Sequence, residues 1–264
     1  MPIKLKSEEE LRIMRQAGQI VGQTLEAIRG MIRPGLNCLD IESFVEDEFK
    51  RRGAKETFRN YQPAPKYPPY PSNICISINE ELVHGIPRDR VLQEGDIVTM
   101  DLGATYKGYV GDAAITVPVG EVSDEAKRLI QVTEDALWAG IRAAKTGKHL
   151  NDICGAIEDA IVGSGTGFSI VRQYVGHGVG REMHEPPQVP NYRMRFKGPP
   201  LRTGLVLALE PMVNVGGPET VECEDGWTVK TKDGSLCCHF EHTIAIREGQ
   251  DAEVLTLPSV LSTN

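Results

Sequence analysis

The amino-acid sequence predicts an α+β fold in which a single domain, residues 1–264, contains two similar halves of about 7–120 and 121–250. One observation is that the order helix, turn, helix and then strands occurs twice along the chain. A second is that the two helical segments resemble each other at one constant offset, which aligns Gly35 with Gly147, Asp40 with Asp152, Ile41 with Ile153, Glu46 with Glu158 and Asp47 with Asp159. A site between the two halves is the expected consequence.

Capping residues and apolar spacing define four helices. Ser7 and Glu10 form a capping box, and helical spacing continues towards residues 33–35 through Leu11, Met14, Ala17, Val21, Leu25 and Ile28. The segment "LDIESFVEDEFKRRG" predicts a second helix that ends at Gly53. Ser123 is predicted to begin a third helix, which continues through about residue 145 and is ended by Gly147. The segment "NDICGAIEDAIVGSG" predicts the fourth helix.

The segment "IVTMDLGATYKGYVGDAAITV", residues 97–117, predicts a hairpin with a two-residue loop at 107–108. This loop pairs the flanking tyrosines and puts Asp101 and Asp112 on one face, as diagonal neighbours. The residues opposite the two acids are small: Ala114 and Gly103. The carboxylates can therefore converge on one point. The alternative is an edge hairpin whose aspartates face water.

Composition excludes several classes of function. A formal net charge of −8, without a cluster of basic residues, argues against direct reading of nucleic acid. No segment approaches the roughly 20 apolar residues that cross a membrane, and no leader sequence is recognisable, which predicts a cytoplasmic protein. The six cysteines lack CxxC spacing and are predicted to be free thiols.

Five further ionisable residues occur in unusual surroundings. Glu210 ends the apolar stretch "GLVLALE", Glu241 lies in the predicted strand "CCHFEHTIAI", and His177 stands between two glycines. His184 follows in the same glycine-rich segment, and His84 precedes a Gly-Ile-Pro turn. Each residue alone also fits a plain structural role, as a solvent-facing glutamate or a histidine that supports a loop.

A shared cavity for Asp101, Asp112, Glu210 and Glu241 would create an electrostatic conflict, because four close carboxylates cannot all stay ionised without cations. Two divalent metal ions would balance the charge, with His177 as a neutral nitrogen ligand. Such a donor set suits Mn, Co, Fe or Zn. The sequence contains no HExxH motif, which argues against a mononuclear zinc protease.

The remaining histidines have weaker signals. His149 is predicted at the start of a helix and in contact with solvent. His242 points to the strand face opposite Glu241 and is predicted to be packed or hydrogen-bonded there. His239 shares the face of Glu241, where it could support the ligands or simply be packed.

With these segments in order, the sequence resembles the type I methionine aminopeptidases of the minimal bacterial form, which are pita-bread metallopeptidases. The resemblance extends from about Ser7 to Thr256, and the matching stretches are "NICISINEELVHGIP", "GDIVTMDLGATYKGYVGDAAIT", "GHGVGREMHEPPQVPN", "GLVLALEPM" and "WTVKTKDGSLCCHFEHTIA". It implies two pseudo-symmetric halves around a curved antiparallel sheet. The short spacing between His184 and Glu210 leaves no room for the insertion that distinguishes type II enzymes.

The resemblance also implies the metal ligands. Asp101 would chelate one ion, His177 and Glu210 would hold the second, and Asp112 and Glu241 would bridge both. The cofactors implied are two divalent ions, Co, Mn, Fe or Zn. A water molecule would attack the carbonyl of the initiator methionine, with Glu210 as the proton acceptor.

The substrate contacts are implied in the same way. His84 and His184 match the family's histidines that are not ligands, and the methionine pocket maps onto Tyr67, Tyr70, Cys75, Met183 and Trp227. Two positions depart from the family's pattern: Met183, where Phe is common, and His239, where Gln is common. The implied substrate is the N-terminal methionine of nascent chains with a small second residue, and the ribosome is a candidate partner. The competing hypothesis is a catalytically silent binding protein of the same fold, which would be expected to lack metal ligands.

Overall fold

The computed structural model describes residues 2–258. Four helices occur in this range: α1 (Glu8–Met31), α2 (Cys38–Arg52), α3 (Asp124–Ala143) and α4 (Leu150–Gly163). The strands are β1 (Lys55–Glu56), β2 (Ile74–Ile78), β3 (Glu81–Val83), β4 (Ile97–Tyr106), β5 (Tyr109–Pro118), β6 (Ser169–Ile170), β7 (Gly176–Gly178), β8 (Glu185–Val189), β9 (Val206–Leu209), β10 (Met212–Asn214), β11 (Thr220–Glu222), β12 (Val229–Thr231), β13 (Cys237–His239), β14 (Glu241–Ala245) and β15 (Glu253–Val254). Helices and antiparallel strands together make the predicted α+β fold. Within the described residues, no helix has the length and apolarity to cross a membrane.

The predicted residues Ser7 and Ser123 begin α1 and α3, and Gly53 ends α2, whereas α3 ends at Ala143, before the predicted Gly147. The Ser7 hydroxyl accepts from the Glu10 amide and the Glu10 carboxylate accepts from the Ser7 amide, so the capping box at α1 is confirmed. Gly53 ends α2 in the left-handed conformation, at φ 65°. Ser123 caps α3 through its side chain, and His149 occupies the N-cap position of α4.

The central sheet has nine strands. Seven follow the order β1-β4-β5-β14-β9-β7-β8, while β2 pairs with β4 and β15 with β14. Each of these pairs is antiparallel. Helix α1 packs on β4 and β5, and α3 packs on α4. Two three-stranded sheets, β13-β10-β6 and β11-β12-β3, complete the fold.

The β4–β5 hairpin has the predicted register, in which Asp101 pairs with Ala114 and Gly103 with Asp112. Lys107 and its neighbour at the turn both have positive φ, at 49° and 78°, as a two-residue hairpin turn requires. The alternative of an exposed edge hairpin is wrong, because β1 and β2 flank β4 while β14 covers β5. Both aspartates therefore lie in the interior of a sheet.

One predicted strand is divided. The segment "CCHFEHTIAI" forms two strands in different sheets, β13 and β14, which separate at Phe240. The chain also changes sheet between β9 and β10, at Glu210 and Pro211, and the Phe240 amide donates to the Pro211 carbonyl across this gap, at 3.4 Å. Pro211 has no N–H with which to continue a ladder, so a break here is favourable. The two breaks bring Glu210 and Glu241 to the same place.

Matched backbone contacts favour the predicted duplication of the two halves. The Gly35 amide donates to the Leu92 carbonyl, and the Gly147 amide donates to the Leu201 carbonyl, at 2.9 and 3.2 Å. Each leucine amide donates back to the residue that follows the glycine, at 2.8 Å in both halves. The two glycines have φ values of 90° and 86°. We propose that the halves arose by duplication, as the sequence predicts.

Candidate active site

A cavity of about 590 Å³ opens where the two strand breaks meet the β4–β5 hairpin. Each of the predicted metal ligands lines it: Asp101, Asp112, His177, Glu210 and Glu241. Both histidines predicted to contact substrate, His84 and His184, line it as well. The structure therefore brings together residues that are up to 157 positions apart in the sequence, from His84 to Glu241.

Strand positions explain how these side chains converge. In β7, His177 pairs with Ala208, and in β14, Glu241 pairs with Ala114. Glu210 follows directly after β9, which is the strand between β7 and β14. The small alanine partners leave the space into which the longer side chains extend.

The carboxylates are buried without enough hydrogen-bond partners. Asp101 Oδ1, Asp112 Oδ1 and Glu241 Oε1 are buried and have no hydrogen-bond partner. Burial raises the pKa of Asp101 to about 7. Burial, together with the neighbouring carboxylates, raises the pKa of Asp112, Glu210 and Glu241 well above the usual range. Such a group of oxygens needs protons or cations to be stable.

His177 supplies a neutral nitrogen beside the acids. Its Nδ1 lies 3.0 Å from the Gly178 carbonyl, and its Nε2 lies 3.4 Å from Glu210 Oε1. Burial lowers its pKa to about 3, so the ring is neutral at physiological pH. Ligand atoms of His177, Asp112 and Glu241 all lie within 4.8 Å of one another. Carboxylate oxygens and one imidazole nitrogen in a buried cluster suit a divalent metal ion, so the residues present fit a metal centre.

His184 and His84 lie beside this cluster. The ring of His184 packs against that of His177, with centroids 4.2 Å apart, and its Nδ1 lies 2.7 Å from the Tyr61 hydroxyl. His84 has a positive φ of 60°, which is uncommon for a residue with a side chain and is often found at functional sites. Its ring contacts Trp227 edge-on, with centroids 6.1 Å apart.

A buried ion pair holds the segment that carries His184. Lys6 Nζ donates to Glu185 Oε2 at 2.8 Å, and both side chains are nearly inaccessible to solvent. The other oxygen of Glu185 accepts from the backbone amide of Arg181 at 3.0 Å. The N-terminal segment is thereby connected to the active-site loop.

The other side of the cavity is apolar. Of the predicted methionine pocket, Tyr70, Cys75, Met183 and Trp227 line the wall. Tyr67 does not line it as predicted. Instead its ring packs against that of Trp227, with centroids 5.8 Å apart and the ring planes tilted by 35°, and the Trp227 indole donates to the Pro68 carbonyl of the same loop.

Several residues that line the cavity were not predicted from the sequence, among them Phe58, Tyr61 and Gln188. A usable signal existed for Tyr61, since it begins the same proline-rich loop that supplied the other pocket tyrosines. For Gln188 the sequence offers no signal, because a polar residue in a strand is ordinary.

The two histidines of the divided strand have different surroundings. The prediction for His242 is confirmed, since its Nδ1 lies 2.9 Å from the Thr256 hydroxyl and its ring packs on Trp138. His239 is buried with both ring nitrogens unpartnered, and its Nε2 is 3.8 Å from Glu210 Oε2. At this distance the nitrogen lies beside a predicted metal ligand without a hydrogen bond to it, so the supporting role of His239 stays a prediction.

The fold and the buried cluster of acids and histidines define a metallopeptidase, and the chain belongs to metallopeptidase family M24, whose model matches residues 12–248. Curated proteins similar to this chain belong to one class of metallopeptidase. Methionine aminopeptidase 1 of Bacillus subtilis is 47% identical over 243 residues, which cover 92% of this chain and 95% of that protein. A methionine aminopeptidase of Aquifex aeolicus is also 47% identical, over 249 residues that cover 93% and 96%.

Solved structures agree with this family. The crystal structure of methionine aminopeptidase from Thermotoga maritima matches with a TM-score of 0.91 and 44% identity, covering 97% of this chain and 99% of that one. The predicted pita-bread fold is confirmed. The family, together with the complete donor set, supports an active enzyme and not the silent binding protein.

Proposed function

We propose that this protein is a metal-dependent aminopeptidase that removes the N-terminal methionine from polypeptide chains whose second residue is small. The observation that carries the proposal is the cavity, in which five metal-type donors lie beside an apolar pocket. The names of the similar proteins support the same substrate. The ribosome as a partner stays a prediction.

We infer that the site holds two divalent ions. Asp101 would bind one ion, His177 and Glu210 the other, and Asp112 and Glu241 both. The number follows from charge, because four ionised carboxylates in one buried cavity are balanced by two doubly charged cations. The donors are compatible with Co, Mn, Fe or Zn. When bound, the ions would supply Lewis acidity at the scissile carbonyl.

The protein's own residues would accept the proton, stabilise the developing charge and orient the substrate. The carboxylate of Glu210 would accept the proton of the attacking water. The imidazole of His184 would stabilise the charge that develops on the carbonyl oxygen, and His84 would orient the peptide. Cys75 and Met183 belong to an apolar and thiol-lined surface that suits a thioether side chain.

Peptide cleavage tests this function. We expect Met-Ala-Ser to be cleaved and Met-Lys-Ser to remain intact, because the second side chain of the substrate would have to fit beside the metal ligands in the same cavity. Leu-Ala-Ser is the matched control for the first residue. A chelator should abolish cleavage, and Mn, Co or Fe should restore it. Equal rates on Met-Ala-Ser and Met-Lys-Ser would contradict the steric account, and binding without cleavage would indicate the silent protein.

A further inference from the structure

Tyr61, at the start of the proline-rich loop 61–70, contacts a histidine of the site. Its hydroxyl oxygen lies 2.7 Å from Nδ1 of His184, and the two ring centroids are 5.5 Å apart. The ring of His177 contacts His184 as well. The orientation of the His184 ring is therefore defined by an aromatic ring, a hydrogen bond and a second imidazole.

The backbone of Tyr61 is held independently of its hydroxyl. The Tyr61 amide donates to the Phe58 carbonyl at 2.8 Å, and the Tyr61 carbonyl accepts from the Tyr70 amide at 2.9 Å. Farther along the loop, the Trp227 indole donates to the Pro68 carbonyl at 3.0 Å. Removal of the hydroxyl should consequently leave the loop in place.

The direction of the hydrogen bond follows from the chemistry of the two groups. A phenol is a better donor than acceptor, whereas the unprotonated nitrogen of a neutral imidazole is a good acceptor. The hydroxyl of Tyr61 thus donates to Nδ1, and the single ring proton of His184 resides on Nε2.

We propose that Tyr61 is a positioning residue, which holds His184 in the tautomer whose Nε2 carries the proton. This inference rests on the proposed function, in which His184 faces a developing negative charge. An N–H at Nε2 stabilises that charge, whereas the other tautomer would present a lone pair to it. Tyr61 acts on the reaction through His184 and does not touch the reacting atoms.

The variant Tyr61→Phe tests this role because it keeps the ring and removes only the hydroxyl. We expect kcat on Met-Ala-Ser to fall about tenfold, the effect of losing one hydrogen bond. KM should change less than about twofold, since the interaction serves the transition state. Tyr192→Phe is the matched control. Its ring packs on Arg172 at 4.4 Å, and its kinetics should be those of the wild type.

A double-mutant cycle separates action through His184 from an independent effect. In a His184→Ala background, Tyr61→Phe should cause no further loss of kcat. A tenfold fall in both backgrounds would show that Tyr61 works independently of His184 and would overturn the proposal. Wild-type kcat in Tyr61→Phe would overturn it as well.

Imidazole ¹⁵N chemical shifts give a readout that does not depend on activity. They would be measured with Zn²⁺, a diamagnetic ion, and assigned by the signals lost in His184→Ala. In the wild type we expect Nδ1 of His184 to be unprotonated and Nε2 to be protonated. In Tyr61→Phe we expect the two nitrogen shifts to move towards each other, because both tautomers would be populated. A wild-type spectrum with the proton on Nδ1 would contradict the inference. Absence of peptide cleavage by the wild type would instead contradict the proposed function, and the spectra would still test the tautomer.

Discussion

At the scale of single residues, Glu241 is a buried carboxylate that lacks the hydrogen bonds needed to compensate its burial. Its side chain is 3% exposed, and its Oε1 has no hydrogen-bond partner. Burial raises its pKa first, and the charges of Asp112 and Glu210 add to the effect. A carboxylate in such a place stabilises the fold only when it is protonated or bound to a cation.

Replacement of Glu241 by Gln keeps the shape of the side chain and removes its charge. We expect metal affinity to fall at least about tenfold, together with activity, because one predicted bridging ligand is lost. In metal-free protein the same variant should melt at a higher temperature than the wild type, since the buried carboxyl of Glu241 must take up a proton that it does not hold in the unfolded chain, and Gln needs none. Metal analysis and calorimetry measure both effects.

The exposed Glu248→Gln is the matched control for Glu241→Gln, because it removes an acidic charge outside the cavity. It should change neither metal content nor melting temperature appreciably. Full activity and unchanged metal content in Glu241→Gln would contradict the proposed ligand set.

At the scale of elements, close packing of α1 on β5 holds the hairpin in position. A Cβ built on Gly111 in β5 would lie 2.6 Å from the backbone nitrogen of Gly18 in α1. This contact leaves no room for a side chain at Gly111, whereas a Cβ on Gly18 would meet the backbone of Leu255 and not the strand. The helix therefore lies directly on the strand that carries Asp112.

The variant Gly111→Ala should destabilise the protein by about 1–3 kcal/mol, the usual cost of overpacking. Backbone atoms of α1 form the obstacle, so rotation of a side chain cannot relieve it. Gly30→Ala in α1 is the matched control, because an added Cβ there meets no atom within 4 Å and should stabilise the helix by up to about 1 kcal/mol. Denaturant unfolding measures the difference, and equal stabilities of wild type and Gly111→Ala would contradict this account.

At the scale of the whole molecule, the acids and the histidines of the site give the free energy of unfolding opposite dependences on pH. Asp101, with a folded pKa raised to about 7, stabilises the metal-free protein at low pH, and this contribution is lost as pH rises through 7. His177, with a folded pKa lowered to about 3, stabilises it above the unfolded value, and this contribution is lost as pH falls below about 6.5.

Metal-free protein should therefore be most stable between about pH 6 and 7. Above pH 7 its melting temperature should fall, because the pKa values of Asp112, Glu210 and Glu241 are raised well above the usual range and these carboxyls lose their protons as the pH rises. Metal-loaded protein should be nearly constant, because cations replace the protons that the acids lose. Calorimetry with and without a chelator, at low and high salt, measures this. A chelator-induced shift that is no larger at pH 8.5 than at pH 7 would contradict the assignment of the cluster.

Much of the fold was predictable because its signals are local. The capping box of Ser7 and Glu10 spans four residues, and the register of β4 and β5 follows from a two-residue loop. The types of the five proposed ligands were also visible, because acids in apolar strands conflict with their surroundings. These features depend on interactions between neighbours along the chain.

The sequence by itself therefore determined the α+β class, the helix caps, the hairpin and the residue types of the site. Only the tertiary structure decided that the segment around Phe240 divides between two sheets, that Tyr67 packs against Trp227, and that Tyr61 is hydrogen-bonded to His184. Each of these contacts joins residues far apart in the chain or depends on where a strand leaves its sheet. Such contacts arise from packing among several elements at once, and no short window of sequence contains that information.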